Sequence, residues 1–95
     1  MTPEQIQTIV LRNVKQLGIH VLHSTLYSLS NEPGEEDVQV PEYSNCFICG
    51  FIATYDEYMK FREACNKEGV WINAKHWPIR GSDKFEYSLM CCKKY

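Results

Sequence analysis

The 95-residue sequence lacks the features that mark membrane, secreted and disordered proteins. It has no apolar run approaching the roughly 18–20 residues that a membrane-spanning helix needs. Its first ten residues show neither the basic region nor the apolar stretch of a secretory signal peptide. We therefore expect a cytoplasmic protein that does not enter membranes. The 44% hydrophobic and 23% charged residues are typical of a folded globular domain rather than a disordered chain.

The sequence also lacks the patterns of the common enzyme classes. It has no glycine-rich phosphate-binding loop, no serine–histidine–aspartate arrangement and no pair of carboxylates placed by their spacing. Catalysis by proton transfer needs two groups held in position, and the sequence does not supply such a pair. We therefore expect a protein that is not an enzyme and that carries no cofactor.

Apolar residues recur at three- and four-residue spacing in two places, which predicts two helices. The first helix begins after Thr2, which opens a capping box, and ends at Gly18. The second helix begins near Asp56, with Thr54 or Asp56 as its cap, and ends at Gly69. Each helix is followed by two stretches with strand character.

These stretches are rich in β-branched and aromatic residues, and they cover residues 19–29, 46–54, 70–74 and 84–92. The element order is therefore α-β-β-α-β-β. This order predicts an α+β fold for one domain of residues 1–95. We expect a two-layer sandwich, in which a four-stranded, mainly antiparallel sheet carries both helices on one face.

The predicted strand over 46–54 carries apolar side chains on both faces, which is typical of a central strand or of an interface. Trp71 points away from the apolar side of its own strand, so we expect it on the sheet face that the helices leave open. An exposed face bearing tryptophan is usually an interface, often between copies of one chain. We therefore expect a homo-oligomer, with a homodimer as its simplest form.

The segment after the second helix interleaves aromatic and cationic residues: Trp71, Lys75, His76, Trp77 and Arg80. Tryptophan and arginine are frequent hot spots of protein–protein interfaces. The same mixture binds single-stranded nucleic acid, where rings stack on bases and cations meet phosphates. Because the formal net charge is −2, we favour a protein partner over a nucleic acid or nucleotide.

Acidic residues concentrate in a predicted loop over residues 30–45. Residues 32–42 hold five of the twelve acidic residues and no basic residue, and Glu35, Glu36 and Asp37 lie at their centre. One interpretation is an anionic arm that docks on a basic partner, with an affinity that falls as salt rises. The other interpretation is a solvated connection, and the two stay open.

The five cysteines include one motif, Cys46-Phe-Ile-Cys49-Gly50, whose pattern can hold two zinc-binding thiolates. Further candidate ligands are His20, His23, Cys65, Cys91 and Cys92. A strand over this segment, however, points Cys46 and Cys49 to opposite faces. In a reducing compartment we therefore expect most of the cysteines to be buried thiols, with no metal, and we keep a structural zinc at Cys46 and Cys49 as an alternative.

The segment His23-Ser24-Thr25-Leu26 resembles half of the signature of the 2H phosphoesterase family. That resemblance implies a histidine acting as acid or base and a hydroxyl holding a phosphate oxygen, on each of two neighbouring strands. The second copy would begin at His76, but Pro78 stands where the hydroxyl should be. A small nucleotide-binding or phosphoesterase-like protein using His23, Thr25 and His76 is thus a second alternative.

These features together predict a small non-enzymatic protein-interaction domain. We expect contacts through the aromatic and basic segment and through the acidic loop. Small stand-alone domains of this kind include inhibitors made by phages and mobile elements that bind a host macromolecule, so an inhibitor of viral origin is a further hypothesis.

Overall fold

A computed structural model describes residues 1–28 and 45–93 of the chain. The elements in chain order are α1 (Pro3–Gln16), β1 (Val21–Ser28), β2 (Asn45–Thr54), α2 (Tyr55–Lys67), β3 (Val70–Pro78) and β4 (Lys84–Lys93). The predicted α-β-β-α-β-β order is confirmed. The predicted acidic loop lies outside the described residues except for Asn45, which belongs to β2.

Both helices begin with a capping box and end before a glycine. The Thr2 side chain accepts from the Gln5 backbone N–H, and the Gln5 side chain accepts from the Thr2 N–H. Thr54 and Glu57 repeat this exchange at α2, so the cap is Thr54 and not Asp56. These hydrogen bonds satisfy backbone donors that have no partner inside the helix.

Gly18 and Gly69 follow the two helices with φ angles of 70° and 85°. Residues with a Cβ atom rarely adopt this left-handed conformation, whereas glycine does so at little cost. The chain therefore leaves each helix at a glycine and turns back along the sheet as a strand.

The sheet has the strand order β1-β2-β4-β3, and all neighbouring strands are antiparallel. β2 and β4 are the central pair, while β1 and β3 lie at the two edges. Each α-β-β half of the chain thus contributes one helix, one edge strand and one central strand.

The core lies between the helices and one face of the sheet. In β2 the residues that face it are Phe47, Cys49, Phe51 and Ala53; β4 adds Tyr87, Leu89 and Cys91, and the helices add Ile6, Val10, Val14, Tyr58, Phe61 and Cys65. The rings of Phe51 and Phe61 meet edge to face at 5.2 Å, and those of Tyr58 and Tyr87 stack at 4.3 Å. Both helices therefore pack on the same side of the sheet, as predicted.

A polar contact ties the two helices together at the edge of this core. Asn13 is 5% exposed, and its Nδ2 donates to Glu68 Oε2 at 2.8 Å and to the Ile9 carbonyl at 2.9 Å. Arg12 forms an ion pair with the same Glu68 carboxylate. Glu68 thereby joins α1 to the end of α2.

Two strand predictions need correction. β3 continues to Pro78, although the sequence pattern suggested that the strand stops at residue 74. Proline is tolerated because β3 is an edge strand, where a missing N–H need not break a ladder bond. β1 begins at Val21 rather than at residue 19, and its register with β2 shifts between Val21 and His23.

Neither of the helices in residues 1–28 and 45–93 has the length and apolar character that crossing a membrane requires.

Candidate functional site

The sheet face opposite the helices carries the other half of each strand's side chains. In β3 these are Trp71, Asn73, Lys75 and Trp77; in β2 they include Ile48, Gly50 and Ile52, and in β4 Glu86, Ser88 and Met90. We call Ile48, Ile52, Trp71, Lys75, Trp77 and Met90 the tryptophan face. No helix of the described residues packs on it, because both helices occupy the other side.

The two tryptophans are half exposed, at 48% for Trp71 and 51% for Trp77. They lie on the same side of one strand, so their Cα atoms are about 20 Å apart at the usual strand rise. Lys75 lies between them and is also exposed. This spacing presents two large rings and a cation along one edge of the sheet.

The neighbouring strands extend the apolar part of this surface. Glu86 lies between Ile52 and Trp77 in one cross-strand row, and Met90 lies between Ile48 and Asn73 in another. Ile52 is exposed, and Ile48 and Met90 are partly covered. Exposed apolar side chains interleaved with polar groups are typical of a protein-binding surface.

The strand residues at the middle of the face add little side-chain volume, because Gly50 and Ser88 oppose each other there. The His23 side chain crosses from β1 and lies over Gly50: a Cβ atom at position 50 would sit only 2.7 Å from His23 Cε1. The imidazole therefore fills the space that any larger residue at position 50 would take.

A disulfide joins Cys46 to Cys92 on the same side of the sheet as the tryptophans. The two residues face each other across β2 and β4, with Cα atoms 4.7 Å apart, and the next residue in that row is Trp71. The expectation of buried thiols therefore does not hold for this pair. Its physical reason is the strand register, which brings two residues 46 positions apart into direct opposition.

The remaining cysteines, Cys49, Cys65 and Cys91, are free and buried in the core, as predicted for ordinary thiols. Burial raises the pKa of Cys65 to about 12. The Cys91 pKa is also raised, first by its hydrogen bond with Cys49 and then by burial. Thiols with raised pKa values carry little thiolate, so they are poor nucleophiles and poor metal ligands.

Cys46 and Cys49 lie on opposite faces of β2, as the alternation of the strand predicted. They cannot bind one ion in this arrangement, and the Cys46 sulfur is bonded to Cys92. Within residues 1–28 and 45–93, no three histidine, cysteine or acidic residues come together as a metal site would require.

The two histidines of the phosphoesterase resemblance do not come together. His23 belongs to edge strand β1 and lies on the tryptophan-face side, over Gly50. His76 belongs to the opposite edge strand and points the other way, with its ring 5.5 Å from Phe85 and 5.8 Å from Tyr87. One phosphate cannot contact both rings, so this pair offers no joint acid–base site.

The predicted binding residues are thus only partly assembled by the fold. Trp71, Lys75 and Trp77 share the tryptophan face, whereas His76 faces the helix side. Arg80 is exposed in the turn between β3 and β4. The predicted contacts Glu35, Glu36 and Asp37 lie outside the described residues.

Sequence reasoning did not assign Ile48, Ile52 or Met90 to the candidate surface. The two-sided apolar pattern of β2 was a signal for the two isoleucines, but the residues beside them in each cross-strand row depend on the strand order.

The sequence matches no model of a known protein family and no curated protein. The functional conclusion therefore rests on the geometry of the chain itself.

Proposed function

We propose that this chain is a small non-enzymatic domain that binds a protein partner through the tryptophan face. The observation that carries the proposal is the pair of half-exposed tryptophans, Trp71 and Trp77, on a sheet face that has no helix against it in the described part of the chain. Tryptophan supplies large contact area with few rotatable bonds, which is why it dominates many interfaces.

The charges around the tryptophans favour protein over nucleic acid. Two lysines lie on this side of the sheet, Lys75 and Lys84, and the row that separates them holds Glu86 beside Trp77. A carboxylate next to a stacking ring repels a phosphate backbone, and binding to nucleic acid depends on several cations acting together. A mixed apolar surface with isolated charges is typical of protein interfaces.

A non-enzymatic role is supported by the separation of the candidate acid–base groups. His23 and His76 lie on opposite faces, and the three free thiols are in the core. Cytoplasmic location and the role of a phage or mobile-element inhibitor remain hypotheses about context. Contacts through Glu35, Glu36 and Asp37 also remain a prediction, which salt-dependent binding of their amide variants would test.

Affinity capture from the host cell tests the proposal directly. Wild-type protein and a Trp71→Ala/Trp77→Ala variant are used as bait, each after circular dichroism has shown that it is folded. Tyr55→Ala is the matched control, since Tyr55 is a 61% exposed aromatic residue in α2, on the opposite side of the sheet.

We expect one specific protein to be retained by wild type and by Tyr55→Ala and to be lost by the double variant, with or without nuclease treatment. Retention of the same protein by the folded double variant would refute the tryptophan face as its site. Loss of all capture after nuclease treatment would favour a nucleic acid instead.

A further inference from the structure

Among the described residues β3 is an edge strand, and no described strand pairs with its outer side. All residues from Val70 to Pro78 pair with β4 without a register shift. The other edge strand, β1, has an irregularity between Val21 and His23. Bulges and charges are the usual means by which edge strands avoid pairing with other chains. β3 has no bulge, and Lys75 is its only lysine, arginine or acidic residue.

The direction of the backbone groups of β3 follows from two contacts. The Ile79 N–H donates to the Lys84 carbonyl at 3.1 Å, just beyond the end of β3. The Cα atoms of Cys46 and Cys92 are 4.7 Å apart, a distance typical of a non-hydrogen-bonded pair in an antiparallel sheet. Because the N–H and C=O of Cys92 do not point to β2, they point to the other neighbour, Trp71 in β3.

Odd-numbered residues of β3 therefore bond to β4, and even-numbered residues direct their N–H and C=O to the free edge. The residues at this edge are Val70, Ile72, Ala74, His76 and Pro78. Pro78 has no N–H, and its place on the free side explains how β3 can contain it without losing a bond to β4.

We propose that a second copy of this chain pairs antiparallel with β3, with Ala74 opposite Ala74 of the second copy. This register is the one in which every residue from Val70 to Pro78 has a partner in the same strand of the second copy. The backbone groups of Ile72, Ala74 and His76 then gain hydrogen bonds across the new edge. The two sheets become one continuous sheet, and its open face carries the tryptophans of both copies.

The side chains on that face complement one another in this register. Trp71 lies opposite Trp77 of the second copy, twice by symmetry, in a non-hydrogen-bonded pair where side chains come closest. Aromatic pairs at such positions stabilise sheets. Lys75 lies opposite Asn73 of the second copy, so the only lysine of the strand does not oppose itself.

An edge-to-edge contact buries less than the roughly 1,600 Å² of a standard interface, so we expect a dimer that dissociates on dilution. Sedimentation equilibrium over a wide concentration range should show a mass rising from 11.1 kDa toward twice that value. Exciton coupling between tryptophans in the far-ultraviolet circular dichroism should disappear on dilution together with the dimer.

Ala74→Pro blocks this pairing while leaving the β3–β4 ladder intact, because the Ala74 N–H points to the free edge. It should remain a monomer at all concentrations, and Ala74→Ser, which keeps the N–H, should dimerise like wild type. Wild type that stays monomeric throughout, or Ala74→Pro that dimerises normally, would overturn the proposal.

Two exposed substitutions test the register even if Ala74→Pro fails to fold. Asn73→Lys places like charges opposite each other twice, and should weaken dimerisation about fivefold, whereas Asn73→Glu should strengthen it. Equal dimerisation by both variants contradicts the register. Partner capture is measured separately. Wild type that stays monomeric but still captures the partner would contradict the pairing of two copies but not the proposed function. A wild-type dimer that captures nothing would contradict the proposed function but not the pairing.

Discussion

Replacing both Cys46 and Cys92 by alanine removes the covalent link between β2 and β4. The two residues are 46 positions apart. In the chain-entropy relation, closing a loop of that length removes conformational entropy from the unfolded chain and so destabilises the unfolded state by about 4 kcal/mol. A domain of this size has a free energy of unfolding of roughly 5–15 kcal/mol. The disulfide thus accounts for a large fraction of the stability.

Urea denaturation followed by tryptophan fluorescence measures this loss. With a urea dependence of roughly 1–3 kcal/mol per molar for small proteins, the midpoint should fall by about 2 M. Wild type in excess reductant should fall to a similar midpoint, and the double variant should not respond to reductant. Alkylation after unfolding without reductant should modify the three free cysteines in wild type, and all five only after reduction.

A double variant with the wild-type midpoint would refute this reasoning. So would five reactive thiols in wild-type protein unfolded without reductant, since Cys46 and Cys92 would then be unlinked.

Three further substitutions test the packing and the helix ends by urea denaturation. Tyr87→Phe should not destabilise the fold, and should stabilise it by up to about 1 kcal/mol, because the buried Tyr87 hydroxyl has no hydrogen-bond partner in the described structure. A large loss of stability would contradict this. Glu68→Ala should cost about 1–2 kcal/mol, because Asn13 Nδ2 keeps only its hydrogen bond to the Ile9 carbonyl and Arg12 loses its ion pair. Breaking the exposed Asp56–Lys60 pair with Asp56→Ala should cost little, and equal losses would contradict the assigned role of Glu68. Hydrogen bonds from the backbone and side chain of Thr54 lower the pKa of Glu57. The contribution of Glu57 to stability is therefore present above the ordinary glutamate pKa and is lost as the pH falls through the pKa of the folded state. Glu57→Gln should lose less stability on acidification than wild type, and parallel pH profiles would contradict this.

Much of the fold follows from local sequence patterns. Thr2 and Thr54 have the spacing of capping boxes, and Gly18 and Gly69 are the residues that end helices, so both helices were predictable from short windows. The alternation along β2 correctly separated Cys46 from Cys49. These signals are local because capping, helix termination and strand pleating each depend on a few consecutive residues.

The remaining features depend on which strands become neighbours. The Cys46–Cys92 disulfide requires the register of β2 and β4, which no local pattern contains. The extension of β3 to Pro78 depends on its place at the edge of the sheet. The same pleating that exposes Trp71 and Trp77 turns His76 toward Phe85, and a strand predicted over residues 70–74 does not contain this separation.

The most direct test of the tryptophan face is a binding constant. Once a partner has been captured, isothermal titration should compare wild type, Trp71→Ala/Trp77→Ala and Tyr55→Ala, with each variant shown to be folded. Loss of two central hot spots should raise the Kd at least about 30-fold, from roughly 2 kcal/mol or more of lost binding free energy. Tyr55→Ala should stay near the wild-type value. A folded double-tryptophan variant that binds as tightly as wild type would contradict the account.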